Sequence, residues 1–312
     1  MSEKYLYNVQ CQPTALFLTA YAHDLFNYRY HCHNSEYEID IILQGEAEFC
    51  NGTDLYQMEE DDVILINPNV FHGSFVLKEN SKALVLRFSE KALRSYLYKF
   101  ERINFTIPPS NQGTRNESIY SKIRYYCATI LSSLGKNGEF MQMTVSAAAE
   151  MLLSSLCEST KFTITKASEY TEYNLDVIQQ LLNYINENYF RKISLDDLAR
   201  HIQYNRTYVS TLFKNVLGIN FHNYLMKIRL SHAMFELGAT EKSISQIALD
   251  CGFTDFKAFN RTFREVFHCR PMEYRRRLDP HRIIHEYLHQ IYVAPGEDPV
   301  VSRKLNEYLN VL

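Results

Sequence analysis

Up to about Glu90 the chain alternates apolar and polar residues in short runs, among them "TALFLTAYAH", "EIDIILQG", "EAEFC", "DVILINP" and "ALVLRFS". Successive side chains of a strand point to opposite faces, so this period of two predicts β-strands. Asn51-Gly52 offers the positive-φ pair of a tight hairpin, and Asp61-Asp62 and Asn67-Pro68 punctuate the runs that follow. Short strands at this spacing predict a barrel or a sandwich. From Glu117 the period lengthens. Ile119, Ile123, Tyr126 and Ile130, then Met143, Ala147, Met151, Leu152 and Leu156, fall at helical spacing on either side of "GKNG", which predicts a helical hairpin. The polar, Ser- and Thr-rich "ESTKFTITKASEYTEYN" (Glu158 to Asn174) reads as a linker.

Nearly everything from Leu175 to Arg277 reads as helix, and it repeats itself. "SLDDLARHIQYNRTYVSTLFKNVLG" from Ser194 aligns with "SISQIALDCGFTDFKAFNRTFREVFH" from Ser243, matching Ala199 to Ala248, Val209 to Phe259, Phe213 to Phe263 and Lys214 to Arg264. The offset changes by one residue in the turn of each copy, where a change of length costs least. Ser194 with Asp197 and Ser243 with Gln246 have the three-residue spacing of capping boxes. Each copy is therefore predicted as helix, turn, helix, with "FHNYLMKIRLSHAMFEL" (Phe221 to Leu237) as the helix between them.

The net charge of -3 conceals a division: Arg191 to Arg277 holds 15 Lys/Arg and 8 Asp/Glu, against 18 and 28 in the rest of the chain. A basic unit on an acidic remainder suggests a nucleic-acid-binding module attached to something that is not one, and the expected partner is double-stranded DNA once the helix-turn-helix pattern is added. Polar and basic side chains also gather on the outer face of the second helix of each copy. In the first they are Arg206, Thr207, Ser210, Thr211 and Lys214, opposite Val209, Leu212 and Phe213. In the second they are Lys257, Asn260, Arg261 and Arg264, opposite Phe256, Phe259 and Phe263. A merely solvated face would mix in acids, and only Asp255 and Glu265 interrupt this one. Seven cysteines, odd in number and never spaced C-x-x-C, argue against a disulfide framework and a zinc knuckle. Without a long apolar run or a signal-peptide pattern, the expected location is the cytoplasm.

The second copy, "IALDCGFTDFKAFNRTFREVFHCRPMEYRR", resembles the AraC/XylS family of bacterial transcription regulators, with Ile247, Ala248, Gly252, Phe253, Asp255, Phe259, Phe263, Phe267, Pro271, Tyr274 and Arg275 at the family's spacings. The resemblance implies a tandem helix-turn-helix DNA-binding domain, a homodimer formed through the helical hairpin, and no enzyme activity. The family usually carries glycine where this chain has His268, which implies altered strain at that helix end. The N-terminal half is similar to the cupin-like sensor barrels that often precede such domains. His31, His33, Glu38 and Gly45 fit the first cupin motif, and "NPNVFH" resembles the second, although Pro68 to His72 is one residue shorter than in metal cupins.

"HCHNSEYEIDIILQG" thus presents imidazoles and a carboxylate that suit a metal, yet members of this regulator family carry the same H-x-H and glutamate without a known one. No metal and no cofactor are expected. Glu38 and Asp40 share a strand face, with Tyr37, Ile39 and Ile41 opposite, so two acids face a polar cavity or solvent. The expected site is a small-molecule effector pocket at the barrel mouth, for a sugar for instance, built from His31, His33, Glu38, Asp40 and His72. The rival reading is a cupin-type metalloenzyme with a helical partner-binding domain. A third, a DNA-bending architectural protein, would lack a formed pocket.

The expected fold is α+β in two domains: a cupin-like effector-sensing barrel over 1–115, a dimerising helical hairpin over 116–158, a linker over 159–174, and the all-α tandem helix-turn-helix domain over 175–278. Residues 279–312 form a C-terminal extension to which the sequence assigns no role.

Overall fold

The computed structural model describes residues 5–10, 17–25, 31, 33, 35–51, 54–78, 80–90, 93, 102–135, 140–165, 169–217, 220–267, 269–277, 292–293 and 295–310. His268 and the residues after Asn51 that join its hairpin lie outside them.

The strands are β1 (Tyr7–Gln10), β2 (Phe17–Asp24), β3 (Glu36–Gln44), β4 (Glu46–Asn51), β5 (Asp54–Glu59), β6 (Val63–Ile66), β7 (His72–Val76), β8 (Lys82–Ser89), β9 (Arg102–Thr106), β10 (Lys161–Thr165) and β11 (Tyr292–Val293). β1-β2-β8-β3-β6 form one antiparallel sheet with β11 on β2, and β5-β4-β7 form a second. Ile42, Ile64 and Ala83 of the first meet Ala47, Phe49, Met58 and Val76 of the second in a shared apolar cluster. No ladder among the described residues closes the two sheets into a ring, although an isolated bridge pairs His31 with His72. β3 shows why its sequence is nearly continuous in apolar residues. Tyr37, Ile39, Ile41 and Leu43 face one core, while Glu38, Asp40 and Ile42 turn toward the second sheet. Gly45, at φ +90°, makes the β3–β4 turn against Ser81, where a Cβ would fall 2.8 Å from the Ser81 Cα. β4 and β5 pair Asn51 opposite Asp54, so Asn51 ends a strand rather than entering the turn.

The hairpin is present as α1 (Ser118–Leu134) and α2 (Met141–Ser159). It is part of the core of the large sheet, since Ile123, Cys127, Ile130 and Leu152 share an apolar cluster with Ile39, Ile41, Leu84 and Leu86. The expected linker contains regular structure on both sides of residues 166–168, which lie outside the described residues. Phe162 and Ile164 alternate with polar residues, and β10 pairs with β9 along its whole length before α3 (Glu169–Asn188) begins.

The repeat folds as its periodicity predicts: α4 (Leu195–His201) and α5 (Arg206–Leu217), the connecting α6 (Phe221–Ala239), then α7 (Ile244–Asp250) and α8 (Phe256–Phe267), followed by α9 (Pro271–Arg277). Each turn is reversed by one left-handed residue, Gln203 at φ 58° and Gly252 at φ +83°. A Cβ on Gly252 would lie 2.6 Å from the Tyr189 carbonyl oxygen, so glycine lets this turn close against the end of α3. Ser194 and Asp197 form the expected reciprocal capping box. The second copy has only half of one. Ser243 accepts from the Gln246 amide, but the Gln246 side chain donates to Asp250 instead.

The C-terminal extension returns to the large sheet. β11 pairs Tyr292 with His23 and Val293 with Ala22, and α10 (Pro299–Leu309) places Val301, Leu305 and Tyr308 in the core of the large sheet and hairpin. Lys304 is 3% exposed and donates to Asp61 at 2.8 Å, with Glu60 at 2.6 Å and Glu307 at 3.1 Å. Tyr308 donates to the same Asp61 at 2.6 Å. A buried ammonium is tolerated because three carboxylates replace its water. The sheet domain is thus built from segments on both sides of the helical repeat in sequence.

Leu305→Ala should therefore destabilise the sensor by about 2–5 kcal/mol, the usual range for emptying a filled core site. Denaturant unfolding followed by sensor-specific probes checks this, and a loss under about 0.5 kcal/mol, ordinary for a surface change, would show that the extension is not part of the core.

Candidate functional site

Between the two sheets lies a cavity of about 190 Å³ lined by His31, His33, Glu38, Asp40 and His72, together with Tyr21, His23, Arg87 and Tyr292. It brings together all five residues that sequence reasoning assigned to an effector. Strand period places them: Glu38 and Asp40 come from the inward face of β3, and His72 from the start of β7, bridged backbone to backbone with His31. One ligand atom from each of His31, His33, Glu38 and His72 lies within 4.8 Å of the others. Glu38, which is buried, is 2.9 Å from His33 Nε2 and 3.3 Å from His72 Nε2. The imidazole rings of His31 and His72 are 4.2 Å apart.

Electrostatics divide the two acids. Burial works against ionising Glu38, but His72, His33 and His31 around it outweigh that and hold its carboxyl well below the usual range. Asp40 has the opposite fate: burial, and then the Glu38 charge beside it, push it well above the usual range. Side by side in the pocket, one carboxyl gives up its proton readily and the other resists doing so. Arg87 lies 3.6 Å from Glu36, and its buried Nε meets no hydrogen-bond acceptor among the described residues. Sequence reasoning missed Tyr21, His23, Arg87 and Tyr292. The first three follow from strand alternation once β2 and β8 are paired, whereas Tyr292 arrives by a long-range return that local pattern does not encode.

The second candidate site is the outer face of the repeat. Arg206, Thr207, Ser210, Thr211 and Lys214 on α5, and Lys257, Arg261 and Arg264 on α8, are exposed. Asn260 is half-buried and its amide donates to the Phe256 carbonyl at 3.2 Å. Phe256, expected on the apolar face with Phe259 and Phe263, is instead 46% exposed, because the first turn of α8 projects beyond that core. Asp255, one of the two acids that interrupt the basic face, is spent on capping: its Oδ1 accepts from the Ala258 amide at 2.7 Å, as Asn205 does from Tyr208 at 2.8 Å in the first copy.

The two sites meet at β7. His72 and Ser74 face the cavity. Phe71, just before the strand, packs with Val209, Phe213 and Leu217 of the first helix-turn-helix unit, and Phe75 packs with Phe259, Phe263 and Phe267 of the second. The Phe75 and Phe267 rings are 5.4 Å apart, Lys227 of α6 lies over Phe75 and pairs with Glu48 of β4, and the Cys50 thiol donates to the Leu217 carbonyl.

Comparison with known proteins gives two family matches: the AraC-like ligand binding domain over residues 14–152 and a helix-turn-helix domain over residues 198–277. An uncharacterised HTH-type transcriptional regulator of Staphylococcus aureus is 25% identical over 76% of this chain and 31% of its own length. The chain therefore spans about a third of the length of the first curated relatives it matches. The HTH-type regulator YkgA of Escherichia coli is 37% identical over 32% of this chain and 42% of its own. Among solved structures, ToxT from Vibrio cholerae is 16% identical, covers 83% of this chain and 96% of its own, and has a TM-score of 0.38.

Burial holds the His23 imidazole neutral, with its pKa lowered to about 4. In an unfolded chain this group titrates near about 6.5. Between those values the unfolded chain binds a proton that the folded one refuses, so stability is full above that range and falls as pH falls through it. The expected contribution is a loss of about 3 kcal/mol between pH 7 and pH 4, read from unfolding curves in chelator-containing buffer. His23→Gln should flatten this dependence, and an unchanged slope in that variant would contradict the assignment.

Proposed function

We propose that the chain is an AraC-type transcription regulator that binds DNA under the control of a small molecule held in the cavity, a reading supported by the match of its two parts to the AraC-like ligand binding domain and to a helix-turn-helix domain. The observation that carries the proposal is the double use of the Phe71 to Val76 segment. Its alternation turns His72 and Ser74 to the cavity while Phe71 and Phe75 enter the cores of the two helix-turn-helix units. A ligand that shifts β7 changes the packing of both units together. Such control requires that the ligand bind the two arrangements with different affinity.

On the DNA side, α5 and α8, held by α6, would enter successive major grooves about 34 Å apart on one face of the duplex. Arg206, Lys214, Lys257, Arg261 and Arg264 supply phosphate contacts and guanine readout, and Thr207, Ser210, Thr211 and Asn260 adaptable polar contacts. On the ligand side, about 190 Å³ is below the roughly 300 Å³ at which drug-sized pockets begin, so the effector is small. Its lining of imidazoles, Glu38, Asp40, Arg87 and tyrosines suits an oxygen-rich molecule, the class to which a sugar belongs. A second copy of the chain is the partner that fits α2, whose Met143, Ala147 and Met151 form an exposed apolar stripe continued by exposed Phe140.

Three outcomes follow. DNA affinity of the whole chain should fall steeply with added salt as phosphate counterions are released; salt-independent binding, or none to any duplex, would remove the DNA reading. Arg261→Ala should weaken specific binding by about 1–3 kcal/mol and relax preference at one or two base pairs, since its counterpart in the first copy is the shorter Thr211. A loss uniform across sequences would make Arg261 a phosphate contact. Met151→Asp should shift the chain from dimer to monomer in sedimentation without altering its unfolding curve, and an unchanged oligomeric state would place the dimer elsewhere.

A further inference from the structure

We infer that Phe256 reads DNA sequence directly, its ring packing on the C5 methyl group of a thymine in the major groove, which rests on the reading of α8 as a DNA-recognition helix. Spacing alone assigns this residue to the core, yet the core beneath α8 is complete without it. Phe253, Phe259, Phe263 and Phe267 follow one another with ring centroids 4.8, 5.5 and 4.5 Å apart, and Tyr274 closes on the last two at 5.4 and 5.3 Å. All five are buried, whereas Phe256 is 46% exposed and joins no ring contact among the described residues. Burial against a partner would still stabilise that ring.

The surroundings of the ring name the partner. Phe256 is the first residue of α8, the end by which a recognition helix enters the groove, and the same helix carries Lys257, Arg261 and Arg264 as exposed cations. Those charges complement a polyanion. What DNA offers an apolar ring is narrow: phosphates and base edges present donors and acceptors, and the apolar group of the major groove is the thymine methyl. The turn that presents the ring is held in place beforehand. Asp255 Oδ1 accepts from the Ala258 amide at 2.7 Å, and the Asn260 amide donates to the Phe256 carbonyl at 3.2 Å. A contact made by a pre-ordered turn loses little to ordering on binding. The matching position of the first copy is Arg206, whose guanidinium suits guanine, so the two units present different chemistry at one place in the repeat.

The test uses the full chain to select duplexes from a random pool, then replaces each thymine of the selected site, one at a time, by deoxyuridine, which lacks only the C5 methyl. At one or two positions the parent should lose about 4-fold in affinity, the worth of one buried methyl group. In Phe256→Ser the same replacements should cost nothing at those positions, and Phe256→Leu, which keeps an apolar group, should retain part of the methyl preference. Phe256→Ser should also keep the thermal midpoint of the parent, unlike Phe259→Ser, which removes a core ring. A midpoint lowered as far as in Phe259→Ser would put the ring in the core and overturn the inference. Specific binding indifferent to every thymine methyl would overturn it too, leaving the ring to a protein partner, as would a methyl penalty that survives unchanged in Phe256→Ser. A chain that selects no duplex at all would instead remove DNA binding itself, and the inference with it.

Discussion

The segment from Phe71 to Val76 is the constraint on which the rest of this molecule depends. A strand presents alternate residues to opposite sides, so any displacement of His72 or Ser74 in the cavity is imposed on Phe71 and Phe75 behind them. Those two rings are not surface contacts. Phe71 is 1% exposed among the apolar residues of the first helix-turn-helix unit, and Phe75 is 6% exposed among those of the second. Close-packed interiors transmit small shifts because they have no slack to absorb them.

The insertion of the helical repeat between two parts of the sensor adds a second constraint. α3 follows from β10, which is paired to β9, and the chain returns through β11 and α10 to the core it left. The sheet domain and the repeat are therefore joined or in contact at three places: the segment leading into α3, the packed face at Phe71 and Phe75, and the return that carries Tyr292 into the cavity wall. The Lys304 and Lys82 ion clusters fasten that return. Lys82 meets both Asp24 of β2 and Asp298 at the start of α10, which is a cross-link between the first and last parts of the chain.

Much of this was legible from residue pattern. The inward face of β3, with Glu38 and Asp40, follows from a period of two, His31, His33 and His72 follow from the resemblance of their segments to cupin motifs, and both helix-turn-helix units follow from a repeat with one added residue in the turn. The misses have physical causes. β7, "HGSFV", is buried throughout and shows no alternation to read, since one side meets a polar cavity and the other an apolar core. β10 carries two apolar residues in a polar stretch, so local composition outvoted its pairing with β9. The extension after Arg277 reads as amphipathic helix, but what it packs on is a partner more than 200 residues away, and no local signal names it. Phe256 was assigned to the core by spacing alone, although helix-terminal residues often outrun the core beneath them.

Coupling between the cavity and the DNA face can be measured without knowing the effector, because linkage is reciprocal: whatever the cavity does to DNA affinity, DNA does to the cavity. Hydrogen exchange of the whole chain, with and without a saturating DNA duplex, reads this directly. The account predicts altered protection at the amides of β7, Gly73 to Val76, and at Val293 of the returning strand, in addition to α5 and α8. Changes confined to residues 195–277, with β7 exchanging at the same rate in both samples, would contradict it.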